Sequence, residues 1–505
     1  MSDNASAALS QSTHQVNEYS VLNTLRSPKR LRTELFAGIA VALALIPEAI
    51  SFSILAGVDP QVGLFTSFTM AVTIAFVGGR RAMISAATGA VALVVAPVVA
   101  DHGLDYLIAT VLLAGVLQVV FSLAGAAKLM RFLPRSVMVG FVNALAIVIF
   151  TAQIPELIDV PAIVYPLVAI GLLILVFLPR LSQVVPAPLV VIVLLTIAAV
   201  AMGIDVPTVG DQGELPNSLP SFFQPDVPFT LDTLQIIFPY AFAMALVGLL
   251  ESLMTAKLVD DITDTHSDKT REGWGQGVAN IVTGLFGGMG GCAMIGQTMI
   301  NVKTSGARTR ISTFAAGVFL LFLVVGLGDV VKRIPMAALV AVMIMVSVGT
   351  MDWHSVHPRT LRRMPLSATT IMLTTVVVTV VTHNLAYGVI LGVIVAMIFF
   401  VRRVAHFTEV VDTANSDENT RVYAVKGLLF FASSNDLYMQ FDYLNDPLNI
   451  IIDLTEAQIY DSSTVAALDA IVFKYRNKGK NVEIVGLNDA DVKWLTLSGN
   501  LGTGH

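Results

Sequence analysis

Apolar runs recur almost without pause from Leu35 to Phe400, and no other feature constrains the fold as tightly. Crossing ~30 Å of hydrocarbon takes about 20 residues of helix. Backbone N–H and C=O groups find no water there, so only helices and closed barrels can span it. Fourteen spans read from the sequence: 34–55, 62–79, 83–100, 106–127, 134–152, 162–178, 186–203, 232–258, 274–288, 293–302, 311–328, 334–350, 366–382 and 385–401. The ninth and tenth are too short to cross alone, and the third opens on Gly, Ala, Ser and Thr. Composition agrees, since only 13% of the 505 residues are charged, against about 25% in soluble domains, and the mean hydropathy is +0.76. A net charge of −6 speaks against nucleic acid as a partner, because that partner requires a basic footprint. The single cysteine, Cys292, excludes a disulfide framework and a cysteine-rich metal site. The chain reads as a polytopic all-α membrane protein whose first partner is the lipid bilayer.

Charge placement orients it. With fourteen crossings, 21 of the 23 Lys and Arg residues before position 405 fall on one side, and only Lys332 and Arg333 fall on the other. Asp59, Asp101, Asp105, Glu156, Asp159, Asp205, Asp211, Glu214 and Asp226 share the side of that sparse pair. The positive-inside rule makes the basic side cytoplasmic. The expectation is therefore a multi-pass protein of the cell inner (plasma) membrane with both termini in the cytoplasm. Residues 1–25 read as a disordered tail without a cleaved signal, and 26–405 as the membrane domain, with halves at about 34–203 and 232–401.

After Arg403 the composition becomes that of a soluble domain. Asn449–Leu454 and Val482–Leu487 read as buried strands, with a helix over Asp461–Arg476 between them and another over about Asp489–Leu497. This predicts a small α/β domain over 421–498, tethered by a linker over 406–420 and followed by a tail over 499–505.

Two carboxylates sit deep within apolar spans, Glu48 in the first and Glu251 in the eighth, 203 residues apart. A membrane-buried carboxylate is costly and by default marks an ion or substrate path. The bland use, a snorkelling or protonated structural glutamate, fits poorly with mid-span positions. The third and tenth spans repeat at an offset of about 210, as Gly79-Arg-Arg-Ala-Met-Ile-Ser-Ala-Ala-Thr-Gly89 and Gly290-Gly-Cys-Ala-Met-Ile-Gly-Gln-Thr298. Seven spans per half is odd, so the second half is inverted relative to the first. Paired discontinuous spans in an inverted repeat point to a binding site at the midplane. Half-helices starting near Thr88 and Gln297 would aim N–H groups and positive dipole ends at a small anion. Ser85, Thr88, Gln297 and Thr298 suit such a site, or equally plain small-residue packing. Gly287, Gly288, Gly290 and Gly291 suit turns, and Cys292 suits packing.

These stretches carry a family resemblance. Pro47-Glu-Ala-Ile-Ser-Phe-Ser53 with Gly57-Val-Asp-Pro-Gln-Val-Gly-Leu64 resembles the SulP family (sulfate permease, or solute carrier family 26) of anion transporters. So do Glu251-Ser-Leu-Met-Thr-Ala-Lys257, Gly277-Val-Ala-Asn280, Gly287-Gly288 and Asn301-Val-Lys-Thr-Ser-Gly-Ala-Arg308. The soluble domain, with Tyr460-Asp-Ser-Ser463, resembles a STAS domain. The resemblance covers about residues 25–498 and rests on the order of the motifs. It implies a 7+7 inverted repeat divided into core and gate domains, an elevator-type transport cycle and a homodimer. Carried over by residue, it places substrate at Glu48, Phe52, Thr88, Gln297 and Thr298. Glu251 and Thr255 match positions used for cation coupling in sodium-dependent members. Ser463 matches the phosphorylated serine of related anti-sigma antagonists, with helix capping by Asp461, Ser462 or Ser463 as the plainer use. Cytoplasmic regulators are the partners such a domain implies.

One departure sets the expected mechanism. Vertebrate members carry an Arg where this chain has Gln297, so anion binding here must rest on dipoles and neutral polar groups. Two carboxylates would oppose the anion unless a proton or Na⁺ neutralised them. That favours symport of a small anion (bicarbonate, sulfate or a dicarboxylate), with H⁺ or Na⁺ as coupling ion and no other cofactor. An uncoupled exchanger, channel or voltage-responsive motor fits less well, for the same reason. A nucleobase permease shares the architecture but lacks a STAS-like tail, and fourteen spans exceed what anchoring a regulatory scaffold requires. No Gly-x-x-x-x-Gly-Lys-Ser/Thr loop is present to drive transport with ATP, and the histidines, among them His266, His354, His357 and His383, lack metal-ligand spacing, so no enzyme is expected.

Overall fold

The computed structural model describes residues 20–125, 133–181, 186–216, 218–382, 384–405, 409–412 and 419–487. The expected helix over about 489–497, the two tails except for 20–25, and most of the linker lie outside these residues. Two compact units emerge, Met1–Val393 and Ile394–His505.

Fourteen helices follow the expected spans. They are α1 (Pro28–Ala56), α2 (Pro60–Val77), α3 (Gly89–His102), α4 (Leu104–Leu123), α5 (Arg135–Thr151), α6 (Val164–Leu181) and α7 (Ala187–Met202). The second half supplies α8 (Leu231–Thr263), α9 (Lys269–Leu285), α10 (Ile295–Met299), α11 (Arg310–Gly326), α12 (Met336–Thr350), α13 (Leu366–Thr382) and α14 (Leu385–Ala405). α1 starts six residues earlier than its apolar run and α9 five earlier, because their first turns are polar and hydropathy alone does not see them. α1 ends on Gly57 at φ +76°, a left-handed conformation that costs glycine least. Pro60 then opens α2 in the first turn, where its missing N–H is harmless.

The packing follows the repeat. α1 lies on α11 as α8 lies on α4; α2 lies on α11 as α9 lies on α4; α5 meets α13 as α12 meets α6. The pairs α2–α9 and α5–α12 map onto themselves. This is the 7+7 inverted repeat, and it separates a core bundle, α1–α4 with α8–α11, from a gate bundle of α5–α7, α12 and α13. Small residues set the close crossings: a Cβ on Gly115 would stand 2.7 Å from the Gly277 carbonyl, and one on Gly277 2.6 Å from the Gly115 carbonyl.

The third and tenth spans are broken. Before α3 runs β1 (Ser85–Ala86), and before α10 runs β2 (Cys292–Ala293). The two strands pair antiparallel, Ser85 with Ala293 and Ala86 with Cys292. Two-residue strands cannot satisfy their flanks, so side chains do. Ser252 accepts from the Ala293 N–H at 3.1 Å, Thr298 from Ile84 at 3.0 Å and Thr66 from Met289 at 2.8 Å. Asn280 accepts from the Gly291 N–H at 2.8 Å and donates to the Gly291 carbonyl and to Gln118. Gly290 adopts φ +76°, a left-handed turn conformation that favours glycine.

Loops predicted to share the basic side do meet. Arg80 pairs with Asp260 at 3.0 Å, while Arg271 and Arg310 donate to the last carbonyls of α2. Cations at a helix C-terminus are favourably placed.

The second unit is an α/β domain with sheet order β3 (Glu409–Asp412), β4 (Thr420–Leu429), β5 (Asn449–Ile459), β6 (Asn481–Val485), of which only β3–β4 is antiparallel. β3 falls within residues 406–420, expected to be linker, because four residues of a polar stretch carry too little alternation to read as a strand. α15 (Phe431–Met439) and α16 (Ser462–Arg476) complete the domain. Val465, Leu468, Ile471 and Tyr475 of α16 are buried as their spacing predicts. Asp461 caps α16, accepting from Thr464 at 3.0 Å, and it also accepts from Phe431 at 2.7 Å, which leaves Ser463 uncapping and exposed. The buried Asp446 accepts from Tyr423, Tyr475 and Arg421. Burial and that carboxylate push the Tyr423 phenol up to about 12.

Asn280→Ala orphans the buried Gly291 N–H, at about 1–3 kcal/mol. Thermal unfolding of the detergent-solubilised protein is expected to drop by at least about 2 °C; an unchanged midpoint would contradict the role given to Asn280.

Candidate functional site

The broken spans create a cavity of about 380 Å³ between the core and gate bundles. α1 supplies Glu48 and Phe52, one turn apart on the same face. α8 supplies Glu251, and the paired strands deliver Thr88 at the start of α3 and Gln297 in the first turn of α10. The gate wall is Phe141, Leu145 and Ile149 from α5, facing Val346, Gly349 and Thr350 from α12. Nothing in the sequence of α5 or α12 marked these residues, because a cavity wall and a lipid-facing span are equally apolar.

Glu251 Oε2 accepts from the Cys292 thiol at 2.9 Å, and Glu48 lines the same cavity as the Gln297 side chain. Both glutamates are 8% exposed. Among the described residues no Lys, Arg or His lines this cavity. Cys292, read from sequence as a packing residue, also stands 3.1 Å from Thr88 Oγ1. Thr88 in turn caps α3, accepting from the Val91 N–H at 3.4 Å. α3 is fourteen residues long and aims its positive end here. α10 has only five helical residues before a π-helical turn over Ile300–Thr304, so fewer aligned peptides stand behind its N-terminus than the sequence suggested.

Three candidate residues lie off the cavity. Ser85 accepts from Gln276 Nε2 at 2.6 Å, on the opposite face of β1. Thr298 holds the backbone of Ile84, and Thr255 donates to the Glu251 carbonyl at 2.8 Å within its own helix. For a cation, the side-chain oxygen donors at the cavity wall are therefore the two carboxylates, the Thr88 and Thr350 hydroxyls and the Gln297 amide oxygen. No group of three or more His, Cys, Asp or Glu able to hold a metal ion occurs among the described residues.

Burial does not single out Glu48 and Glu251, as the sequence suggested. Glu34 is 4% exposed and Glu272 fully buried. The difference lies in their partners. Glu34 accepts from the N–H groups of Arg308, Thr309 and Ser312, and Glu272 from those of Gly79 and Arg80 and from Gln276. Three N–H donors hold each of these two carboxylates, whereas Glu48 and Glu251 keep acceptor capacity towards open space.

Comparison with known proteins places this geometry. Residues 31–166 and 158–375 match the sulfate permease family, and residues 413–502 match the STAS domain. The chain is 54% identical over 460 residues to a protein of Bacillus subtilis (strain 168) named putative sulfate transporter YbaR, covering 91% of this chain and 95% of that one. The transmembrane domain of a cyanobacterial bicarbonate transporter, BicA, is similar at 26% identity, with a TM-score of 0.62 over 73% of this chain and 98% of that one. The overall structure of SLC26A9 shares the fold over 96% of this chain and 88% of that one, with a TM-score of 0.79 at 15% identity.

In a Cys292→Ser background, Val346→Cys is expected to react with a small maleimide, while Ser85→Cys is expected to stay unmodified. Equal labelling of both would contradict the cavity lining.

Proposed function

The chain belongs to the sulfate permease family of sulfate and bicarbonate transporters, and from that premise we propose a secondary active symporter that carries one small anion with a proton or Na⁺. One observation carries the reading: among the described residues, the cavity is lined by two carboxylates and no basic side chain. An anion entering it meets the dipole of α3, the Thr88 hydroxyl and the Gln297 amide, and also two acids. Charges 4 Å apart repel by about 4 kcal/mol at an effective dielectric of 20. A cation that neutralises an acid removes that repulsion, so each ligand raises the affinity for the other, as linkage requires.

Glu251 is the coupling residue in this scheme, with Glu48 as a second acid that shares the cavity with Gln297 of the other repeat. Ser85, Thr298 and Thr255 act one layer back, holding strands and helix in place. The core bundle, which carries both carboxylates, Thr88 and Gln297, moves as a body against the largely apolar gate wall in an elevator-type cycle. The basic side faces the cytoplasm of the cell that houses the protein in its plasma membrane, with both termini there. The STAS domain serves dimerisation or regulation, and the exposed Ser463 is the phosphorylation site this reading assigns to it. The YbaR and BicA names point to sulfate and bicarbonate as the anions to try first; a dicarboxylate suits the same donors.

In proteoliposomes, collapsing the proton and Na⁺ gradients together should abolish concentrative uptake of labelled sulfate or bicarbonate. Undiminished accumulation would sink the symport reading. Glu251→Gln is expected to lower coupled uptake by at least about tenfold, the scale of one coupling group; wild-type uptake would remove Glu251 from its role.

A further inference from the structure

Thr88, Cys292 and Glu251 form a continuous hydrogen-bonded row across the two repeats, and its proton count has only two solutions. Glu251 Oε2 lies 2.9 Å from Cys292 Sγ, and Sγ lies 3.1 Å from Thr88 Oγ1. A thiol has one hydrogen, and Cys292 is fully buried, so it has no solvent to turn to. While Glu251 is a carboxylate it can only accept, so the thiol hydrogen points at it. The Thr88–Cys292 contact must then be filled by the Thr88 hydroxyl hydrogen. One Thr88 lone pair already receives the Val91 N–H. In this state Thr88 turns only a lone pair towards the cavity, which repels an anion.

We infer that Cys292 is a hydrogen-bond relay that couples the cation at Glu251 to anion binding at Thr88. A proton arriving on Glu251 Oε2 makes that oxygen a donor to Sγ. The S–H bond rotates and donates to Thr88 Oγ1, and the Thr88 O–H rotates out of the row and points into the cavity as an anion donor. No covalent bond forms or breaks other than the one the incoming proton makes with the carboxylate. Cys292 is a positioning residue here, since it stands behind the cavity wall and touches no ligand.

Other ionisable groups do not compete for Glu251. α3 carries Asp101 and His102 at its far end, α4 has Asp105 and Tyr106 in its first turn, and α9 has Lys269, Arg271 and Glu272 in its first turn. The π-turn after α10 carries Lys303, and α8 itself bears Asp232, Tyr240, Lys257, Asp260 and Asp261. Among the described ionisable residues, only Glu48 shares the cavity with Glu251.

The inference rests on the symport reading, and its test separates the two. KM for labelled sulfate and for labelled bicarbonate is measured with the full chain in proteoliposomes at pH 6 and pH 8, with and without Na⁺. The wild type should show a cation-dependent KM change of roughly 5- to 150-fold, with the pH and Na⁺ arms identifying the cation. Cys292→Ser, which keeps a single rotatable hydrogen, should retain that dependence. Cys292→Ala should still transport, but with its KM changing less than about twofold, below that coupling range. Should Cys292→Ala fail to fold, Cys292→Val cuts the row with a bulkier side chain and carries the same expectation. Wild-type cation dependence in either apolar variant overturns the relay and leaves symport standing. A wild type whose KM ignores both cations overturns symport and the relay together.

Discussion

Everything in the membrane unit depends on burying extended backbone at mid-membrane and leaving none of it unpaired. An open N–H or C=O costs several kcal/mol where water cannot reach. The chain meets this by crossing β1 with β2 and by ringing the crossing with Thr66, Ser252, Asn280 and Thr298. Each of these polar residues sits on a helix that must lie close by, which is why α2, α8 and α9 crowd the crossing and why glycines mark the tight contacts. The core bundle is thus held together by the demands of four strand residues. The gate bundle carries no such obligation, and its wall on the cavity is almost wholly apolar.

The crossing also decides what the cavity can do. It ends two chains at one point, so the start of α3, the start of α10 and the acids of α1 and α8 face the same space. A basic side chain would make that space an anion trap by itself, and among the described residues none lines it. The acids then become conditions on binding. With Glu34 and Glu272 held by N–H donors, Glu48 and Glu251 are the acids that line the cavity among the described residues.

Much of this was legible in the residues. Span count follows from apolar length, since hydrocarbon thickness acts on every residue alike, and Lys and Arg placement grouped loops that meet in the fold. The repeat showed through Glu48 and Glu251 and through the two small-residue segments, because mid-membrane function needs residues that stand out from an apolar background. Legibility stopped where a role depends on direction. Ser85 and Thr88 are three residues apart in one polar stretch, yet strand alternation turns the first to Gln276 and leaves the second on the cavity. Cys292 resembles any small residue until Glu251 and Thr88 are seen on either side of it. Phe141 and Val346 gave no sign, because an apolar residue in an apolar helix looks the same whichever way it points. β3 was missed for the opposite reason, being four residues paired to β4 in a stretch that reads as linker.

The central claim is that the cavity admits its anion together with a cation. Its most direct measurement records both fluxes in the same proteoliposomes, with a labelled anion on one channel and a pH- or Na⁺-sensitive dye on the other. Cation influx that starts with anion influx, keeps a fixed ratio to it and vanishes when the anion is withheld is the predicted result. Anion influx with no accompanying cation, or with cation moving the opposite way, would contradict it.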